Sequence, residues 1–333
     1  MTHLQLPKFL RANNLSEQPW CPPKETRNRQ QTSTSTAQQN AQRIASYYAQ
    51  TSDGYRDWSQ KLNMHFGTFE WGINPFNLES MLENTNRKVI NSLQLTGSHN
   101  HLLDMGCGLG GTMRFAAQLP AIKHITGVTI AANQVEEAQA ISAKQPQYHK
   151  LNYVLANYHQ TGLPHGTFDG AYAIESACHS SETNKKSLIN EAYRLLKPGS
   201  TLALCDGFIK TTAPMNAITR LCYRQTCKHW ALGNFPVLTD TIKAMESAGF
   251  EDIHIQDLSW RVLPSALYIP WMVLRYGTQL LLQADRNPEH WHHLLAPVWG
   301  LALACNRMRF GYYCAALAPK NLKLSGNHLP PNK

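Results

Sequence analysis

Residues 102–111 of this 333-residue chain read LLDMGCGLGG, in which an apolar run leads into a turn that contains four glycines. Glycine lets the backbone turn tightly, and it leaves main-chain amides open to a ligand that lies against them. A helical pattern begins at Gly110, and Asp104 stands two positions before the first glycine. The stretch therefore predicts a strand, a glycine-rich turn and a helix, which is typical of the start of a nucleotide-binding α/β domain.

Short apolar strands alternate with amphipathic helices on both sides of this turn. Seven strands are predicted, at residues 101–105, 122–128, 151–155, 168–174, 201–205, 251–258 and 310–316. Helices are predicted at residues 77–95, 110–118, 133–144, 182–196 and 239–248. This alternation is typical of a parallel sheet that is covered on both faces. We predict an α/β fold with a Rossmann-like, seven-stranded, mostly parallel sheet and helices on both faces. An N-terminal helical segment precedes the sheet, and a helical cap is inserted before the last strand.

The domain organisation follows from changes in composition along the chain. Residues 1–38 have few periodic hydrophobic positions and end in a polar tract, so they are predicted to form a disordered or loosely attached tail. Residues 39–320 are predicted to form the main domain, with the cap insertion at about 259–308. Residues 321–333 are predicted to be a flexible C-terminal tail.

The overall composition, 43% hydrophobic and 16% charged, is that of a globular protein with a buried core. The net charge is +9, but the basic residues are scattered, so no nucleic-acid partner is predicted. A diffusely basic surface and a weak peripheral contact with an anionic membrane are both left open. The apolar stretch 262–282 is interrupted by Pro264, Pro270 and Arg275, so it is not predicted to span a bilayer.

The eight cysteines contain no CxxC pair, which favours free thiols in a reducing compartment. The predicted localisation is therefore cytoplasmic, with a peripheral membrane location as the alternative. His290, His292 and His293 lie close together without a cysteine or carboxylate at ligand spacing, so no metal site is predicted. The oligomeric state is left open.

The glycine-rich turn has the pattern DxGCGxGG, whereas a dinucleotide site usually has the pattern GxGxxG with an acid about 20 residues later. The pattern resembles that of the class I methyltransferases. In that family the glycines lie under the amino-acid part of S-adenosylmethionine, and the acid helps to place its ammonium group. The resemblance implies that S-adenosylmethionine is bound by Asp104, Gly106, Cys107, Gly108 and Gly110.

The second strand ends in the sequence GVTIAANQ at residues 127–134, with Thr129 where most class I methyltransferases have an acid that binds the ribose. The pattern resembles the branch that contains tocopherol methyltransferases and cyclopropane fatty-acid synthases. A hydroxyl and an amide can each donate and accept hydrogen bonds. The resemblance therefore implies that Thr129 and Gln134 bind the ribose hydroxyls together.

After the third strand, residues 156–158 read ANY and occupy the position of the family's adenine-binding segment. The carbonyl oxygen of Asn157 is expected to accept a hydrogen bond from the exocyclic amine, and the ring of Tyr158 is expected to pack on the adenine.

Residues 168–179, FDGAYAIESACH, resemble the FDxxYxIExxxH segment of sterol C-methyltransferases, and residues 191–199 also match that wider family. Methylation of an alkene or an electron-rich ring carbon creates a cation that then loses a proton, so a weak base in a dry pocket is required. Glu175 and His179 are the predicted catalytic residues, and Asp206 is a further candidate. For Glu175, the alternative is that it only orients the cofactor or the loop. For His179, a purely structural hydrogen-bonding role is an equal alternative.

Residues 47–55, YYAQTSDGY, resemble the YYxxTxxxY entry segment of the same branch, which closes over the cofactor and lines the acceptor pocket. The predicted substrate-binding residues are Tyr48, Tyr55, His65 and Trp71. Core packing of an N-terminal helix is the alternative. Residues 55–60, YRDWSQ, depart from the aromatic, acidic stretch of sterol enzymes, which puts a sterol substrate in question.

Together these motifs predict a methyltransferase that modifies a carbon atom of an apolar small molecule such as a sterol, isoprenoid, quinone or tocopherol. The alternatives are an O- or N-methyltransferase for small molecules and, from another class, a non-catalytic cofactor-binding scaffold. A nicotinamide dehydrogenase is disfavoured by Thr129 and by the glycine spacing. A cyclopropane-forming enzyme is less favoured because that family's Glu-His segment is not found after the fourth strand.

Overall fold

A computed structural model describes residues 42–48, 51, 55–97, 100–211, 213–284, 288–304 and 310–319. The two predicted tails, residues 1–38 and 321–333, lie outside the described residues. The described chain contains the predicted mixed α/β sheet with helices on both faces.

The central sheet has seven strands, arranged in the order β3-β2-β1-β4-β5-β7-β6. Their bounds are β1 Asn100–Met105, β2 Ile122–Thr129, β3 Leu151–Leu155, β4 Phe168–Ile174, β5 Leu196–Ile209, β6 His254–Asp257 and β7 Phe310–Pro319. The first five strands in this order are parallel, and β7 is antiparallel to both of its neighbours. The order of the strands reverses between β1 and β4, which is where ligands bind in open α/β sheets. The predicted seven-stranded, mostly parallel sheet is therefore confirmed.

Within the described residues, helical segments lie at residues 42–48, which we call α1, at residues 55–58, and in nine longer or later segments named α2 to α10. Their bounds are α2 Leu78–Ser92, α3 Gly111–Ala116, α4 Ala132–Ser142, α5 Lys186–Leu195, α6 Ala217–His229, α7 Leu238–Ala248, α8 Leu263–Ala266, α9 Ile269–Leu282 and α10 Pro288–Ala304. The ends of α2 and α7 follow local rules. The side chain of Asn77 caps α2 by accepting from the amide of Ser80 at 3.0 Å. Gly249 ends α7 in the left-handed conformation.

The central strands are buried on both faces because their successive side chains point in opposite directions. Leu102 and Leu103 are both fully buried, yet they belong to different core clusters on the two sides of β1. Leu103 packs with α5 and α7 residues such as Leu188 and Met245. Leu102 packs with α2 residues such as Val89. A continuous apolar run is therefore the expected pattern for β1.

Two segments differ from the sequence prediction. The helix predicted at 182–196 begins only at Lys186, and β5 begins at Leu196 rather than at Thr201. The pairing of β4 with β5 is irregular in this part of β5, which contains Pro198. A bulge accommodates a residue that has no amide hydrogen, so the proline does not end the strand here.

Helix α6 was not predicted from the sequence. Its buried positions are mostly polar or small, including Thr219, Cys222 and Thr226, so hydrophobic periodicity does not reveal it. It packs against α10, which also contacts α9, and its Cys222 and Tyr223 share a core cluster with Leu303 of α10. The predicted cap insertion is helical, and α6 completes it. Within the described residues, no helix has both the length and the apolar character needed to cross a bilayer.

Candidate active site

The glycine-rich turn follows β1, and its glycines at positions 106, 108 and 110 all have positive φ angles, of 108°, 50° and 75°. At two of these positions, neighbouring protein atoms leave no space for a side chain, so glycine is required. A Cβ on Gly106 would lie 2.4 Å from the Cβ of Ser176, and one on Gly110 would lie 2.4 Å from the hydroxyl of Tyr153. Both glycines therefore allow close packing within the protein, in addition to any role in binding a ligand.

Gly108 has a different environment. A Cβ at this position would meet the sulfur of Met64 at 3.2 Å and the side-chain nitrogen of Gln134 at 4.0 Å, and no backbone atom within that distance. Position 108 therefore has more space than positions 106 and 110. Of the three glycines, it is the one at which a larger side chain would mainly enter the predicted cofactor crevice.

Asp104 lies in β1 one residue before the strand ends, where it pairs with Gly127 of β2 and Tyr172 of β4. Its side chain is buried, and this burial raises the pKa of the carboxyl group to about 7. A cationic ligand group next to Asp104 would favour the ionised carboxylate and lower that pKa. The position is suitable for the ammonium group that the sequence prediction places here.

Thr129 and Gln134 are brought together at the end of β2. The hydroxyl of Thr129 donates to the side-chain oxygen of Gln134 at 2.7 Å, and both side chains are buried. The hydroxyl also accepts from the amide of Ala131. The side-chain nitrogen of Gln134 therefore remains directed toward the glycine-rich turn, as its 4.0 Å distance from the position of a Gly108 Cβ indicates. Such a donor suits a sugar hydroxyl.

Asn157 and Tyr158 follow β3 and are partly buried. The side-chain oxygen of Asn157 accepts from the amide of His159 at 2.9 Å, and it retains a second lone pair for a ligand. The hydroxyl of Tyr158 donates to the carbonyl of Ser176 at 3.1 Å, which ties this segment to the loop that follows β4. The predicted contacts of both residues with adenine stay predictions.

A cavity of about 180 Å³ lies beside the carboxyl ends of β4 and β5. Most of its wall is aromatic or aliphatic, and α1, the segment 55–66, the β4 loop and the cap all contribute to it. Its lining residues are Tyr48, Tyr55, Trp58, Met64, His65, Phe66, Glu175, Cys178, His179, Asp206, Gly207, Trp230, Leu232, Phe235, Ile269, Met272 and Pro297. Met64 also adjoins Gly108, so the cavity lies next to the glycine-rich turn.

Glu175 is the first residue after β4, and it adopts a left-handed backbone conformation with a φ angle of 46°. This conformation is unfavourable for a residue other than glycine, and such residues are concentrated at functional sites. Its carboxylate accepts from the amide of Phe66 at 2.6 Å, and its own amide donates to the carbonyl of Cys205. Glu175 therefore joins the β4 loop to the aromatic segment on the other side of the cavity.

His179 forms a hydrogen-bonded pair with Tyr48. Its Nδ1 lies 3.3 Å from the carbonyl oxygen of Ala231, and a carbonyl can only accept, so Nδ1 carries the proton. Nε2 then accepts from the hydroxyl of Tyr48 at 2.8 Å. Burial lowers the pKa of His179 to about 4, so the ring is neutral near pH 7. The structure thus supports a hydrogen-bonding role for His179 and places it in the cavity wall.

A buried lysine supports this loop, and the sequence analysis did not identify it. Lys185 has no exposed surface, and its ammonium group donates to the carbonyls of Ser180 at 2.8 Å and Asn234 at 2.7 Å. Nearby, the carboxylate of Asp206 accepts from the amides of Cys178 and Gly207. Burial lowers the pKa of Lys185 and raises that of Asp206, and the attraction between the two charges opposes both shifts.

Two predicted substrate-binding residues have other environments. The ring nitrogens of His65 lie 3.0 Å from the carbonyl of Phe66 and 2.8 Å from the side-chain oxygen of Asn86, so its polar atoms serve a structural network although its ring lines the cavity. Trp71 is 96% exposed and is not among the lining residues. The structure therefore does not bring Trp71 to the cavity. Its ring lies at the surface in an edge-to-face arrangement with Phe69, with the ring centroids 6.1 Å apart.

The described residues contain no group of three or more His, Cys, Asp or Glu side chains that could hold a metal ion. Glu175, His179 and Asp206 line one cavity, and they form hydrogen bonds with protein amides, a carbonyl and a phenol.

Comparison with known proteins supports the interpretation of the turn and the strand order. Residues 103–204, which extend from β1 to β5, match a family described as "Methyltransferase domain". This part of the chain is therefore similar to a methyltransferase domain. The match covers the glycine-rich turn, the Thr129–Gln134 pair and the β4 loop, and the cap lies outside it.

Two relatives illustrate the range of similar sequences. The O-methyltransferase resE of Aspergillus sclerotiorum is 34% identical over 143 residues, which are 43% of this chain and 53% of that protein. The sterol 24-C-methyltransferase erg-4 of Neurospora crassa is 28% identical over 170 residues, which are 51% of this chain and 44% of that protein. The chain therefore spans about half the length of these relatives.

Solved structures share the fold over a longer part of the chain. The [4+2]-cyclase SpnF has a TM-score of 0.67 at 21% identity and covers 84% of this chain and 95% of its own. The geranyl diphosphate C-methyltransferase of Streptomyces coelicolor A3(2) has a TM-score of 0.61 at 18% identity and covers 84% and 98%. These likenesses extend over most of the chain, and they show that the same fold occurs in enzymes with different activities.

Proposed function

We propose that this chain is an S-adenosylmethionine-dependent methyltransferase that methylates a carbon atom of an uncharged, apolar small molecule. Sterol-, isoprenoid-, quinone- or tocopherol-like acceptors belong to this class. One observation carries the proposal: an aromatic cavity with a carboxylate in its wall lies next to the glycine-rich turn that follows β1.

The residues at the turn fit the cofactor. Asp104 would hold its ammonium group, Gly108 would lie beneath its amino-acid part, and Thr129 with Gln134 would bind its ribose. The left-handed backbone at Gly108 and the buried carboxyl of Asp104 are the two structural features that support this fit. When bound, S-adenosylmethionine supplies an electrophilic methyl group.

The cavity suits an acceptor that passes through a cation. The rings of Tyr48, Tyr55 and Trp58 present π faces and edges that can stabilise positive charge in a site with little water. Glu175 adds a negative charge and can accept the proton that the methylated carbon loses. His179 is neutral and holds the hydroxyl of Tyr48, so we assign it a positioning role beside the reaction and keep Glu175 as the base.

The charge of the wall also restricts the acceptor. Among the described lining residues there is no lysine or arginine, whereas Glu175 and Asp206 are acidic. A phosphate or carboxylate on the acceptor would therefore contact no cationic side chain in the wall, and a buried anion without such a contact is strongly unfavourable. This argues for an uncharged acceptor, in contrast to the geranyl diphosphate that the Streptomyces coelicolor neighbour contains together with Mg²⁺.

The test uses the full chain with S-adenosylmethionine labelled with ¹³C in the methyl group and apolar lipid extracts as the acceptor source. We expect label in an apolar product, with a ¹³C chemical shift typical of a methyl bonded to carbon. Label bonded to oxygen or nitrogen would contradict carbon methylation. Cofactor binding without transfer to any extract would favour the non-catalytic scaffold.

O-methylation is the second candidate, and the Tyr48–His179 pair is the observation that favours it. A neutral imidazole hydrogen-bonded to a hydroxyl is the arrangement that can remove a proton from an acceptor hydroxyl placed where the Tyr48 hydroxyl lies. A substitution of His179 by Ala should then abolish transfer. Under carbon methylation the same variant should retain part of its activity, because Glu175 remains.

A further inference from the structure

The outer surface of the cap exposes an unusual number of large apolar side chains. On α9 and the turn before it, Trp271 is 62% exposed and Leu282 is 88% exposed, and the others are Leu267, Leu274 and Leu281. Exposed apolar residues on α6 and α10 are Ile218, Leu221, Leu295 and Val298. Soluble proteins rarely leave extended apolar surfaces uncovered unless these surfaces bind a partner.

Helix α9 has two apolar faces with different environments. Ile269 and Met272 line the acceptor cavity, and Leu280 is buried. Trp271 and Leu274 point outward, with the three-residue spacing of one helical face. Helix α9 therefore lies between the acceptor cavity and the exposed apolar surface, and these two are separated by the width of one helix.

The charges of the cap identify the kind of partner. Helices α6 and α9 contain Arg220, Arg224, Lys228 and Arg275 and no acidic residue. Arg224 and Lys228 are exposed, whereas Arg275 is paired with Asp57 at 2.8 Å.

On α6, the exposed basic residues lie on the same helical face as the exposed apolar ones. Leu221 and Lys228 are two turns apart, and Ile218 precedes Leu221 by three residues. A combination of apolar and basic side chains on the outer face of helices is the pattern of a surface that binds anionic lipid. The third helix of this surface, α10, contains one acidic residue, Glu289, so the four basic residues of α6 and α9 outnumber the acidic ones over the three helices.

We infer that the outer face of α6, α9 and α10 docks on the surface of an anionic phospholipid bilayer. Trp271, Leu274 and Leu282 enter the boundary between headgroups and acyl chains, while Arg224 and Lys228 meet lipid phosphates. The acceptor cavity then lies one helix away from the bilayer, where an apolar acceptor is concentrated. The docking itself does not depend on the proposed function, because it requires neither cofactor nor methyl transfer.

The test is sedimentation of the full chain with vesicles of phosphatidylcholine alone and with vesicles that also contain phosphatidylglycerol. We expect the anionic vesicles to bind roughly tenfold more tightly. The double substitution Leu274→Ser/Leu282→Ser should weaken binding to anionic vesicles by more than about tenfold, because two apolar side chains no longer enter the bilayer. Arg224→Gln/Lys228→Gln should weaken it by roughly tenfold and reduce its dependence on salt.

The matched control is Tyr148→Ser/Ile255→Ser, which removes two exposed apolar side chains outside the cap. It should bind vesicles as the unsubstituted chain does. Equal loss in the control and the Leu274 variant, or no binding to anionic vesicles, would overturn the inference. So would a stable dimer, detected by sedimentation equilibrium without lipid, that the Leu274→Ser/Leu282→Ser substitution dissociates. A failure of methyl transfer with intact vesicle binding would reject the proposed function alone.

Discussion

The substitution Glu175→Gln separates the charge of this side chain from its hydrogen bond. The carboxylate accepts from the amide of Phe66 at 2.6 Å, and glutamine keeps an oxygen that can accept the same bond. A hydrogen bond to a charged group contributes about 1.5–3 kcal/mol and a neutral one about 1 kcal/mol. We therefore expect Glu175→Gln to lower the free energy of unfolding by only about 1 kcal/mol.

The expected effect on catalysis is larger. Glu175 lines the cavity of about 180 Å³, so a cation that is bound in the cavity can lie about 5 Å from its carboxylate. At an effective dielectric constant of about 20, that attraction is worth about 3 kcal/mol. Its loss slows the chemical step by roughly 140-fold, because each 1.4 kcal/mol corresponds to a factor of about ten.

The assay measures the single-turnover rate, the affinity for S-adenosylmethionine by calorimetry, and unfolding by urea. Glu175→Ala is the paired variant, because it removes the charge and also leaves the Phe66 amide without its acceptor, at a further cost of about 1–3 kcal/mol in stability. A Glu175→Gln protein with an unchanged rate would remove the carboxylate from the chemistry. A rate loss that is matched by an equal loss in cofactor affinity would assign Glu175 to cofactor binding.

Three further predictions concern the cofactor crevice and its support. Gly108→Val should abolish S-adenosylmethionine binding in calorimetry while the protein stays folded. Gly106→Val should instead lower the melting temperature, because its side chain would collide with the β4 loop. Equal effects of the two variants on binding and on melting temperature would contradict the different roles that we assign to these glycines. Burial gives the Asp104 carboxyl a pKa of about 7, and a bound ammonium lowers it, so binding releases a proton and the cofactor affinity should fall about tenfold per pH unit below pH 7. The variant Asp104→Asn should lack this slope, and a slope that persists in the variant would implicate another group. Lys185→Met should leave two buried carbonyls unpaired and cost about 2–5 kcal/mol in urea unfolding, and an unchanged stability would refute the support we assign to that ammonium group.

The features that could be predicted from the sequence are those formed by residues close together along the chain. The glycine-rich turn needs left-handed residues immediately after a strand, and the pattern of glycines shows where they occur. Thr129 and Gln134 are five residues apart across one strand-to-helix connection, so their contact follows from local geometry. The sheet was predictable for the same reason, because each buried strand is a local apolar run and parallel strands need intervening helices.

The contacts that complete the candidate site join distant segments. Tyr48 and His179 are 131 residues apart, and Phe66 and Glu175 are 109 residues apart. The burial of Lys185 depends on Asn234, and a lysine in sequence alone is indistinguishable from one on a solvated surface.

The sequence by itself determined the sheet, the turn and the residue types at the ends of its strands, because backbone preferences and side-chain periodicity act over a few residues. Only the tertiary structure decided that Trp71 lies at the surface, that Gly106 and Gly110 pack against protein atoms, and that α6 belongs to the cap. These outcomes depend on how whole helices and loops pack against one another. No periodic pattern in a single segment records that packing, because it is set by the shapes and polar groups of both partners.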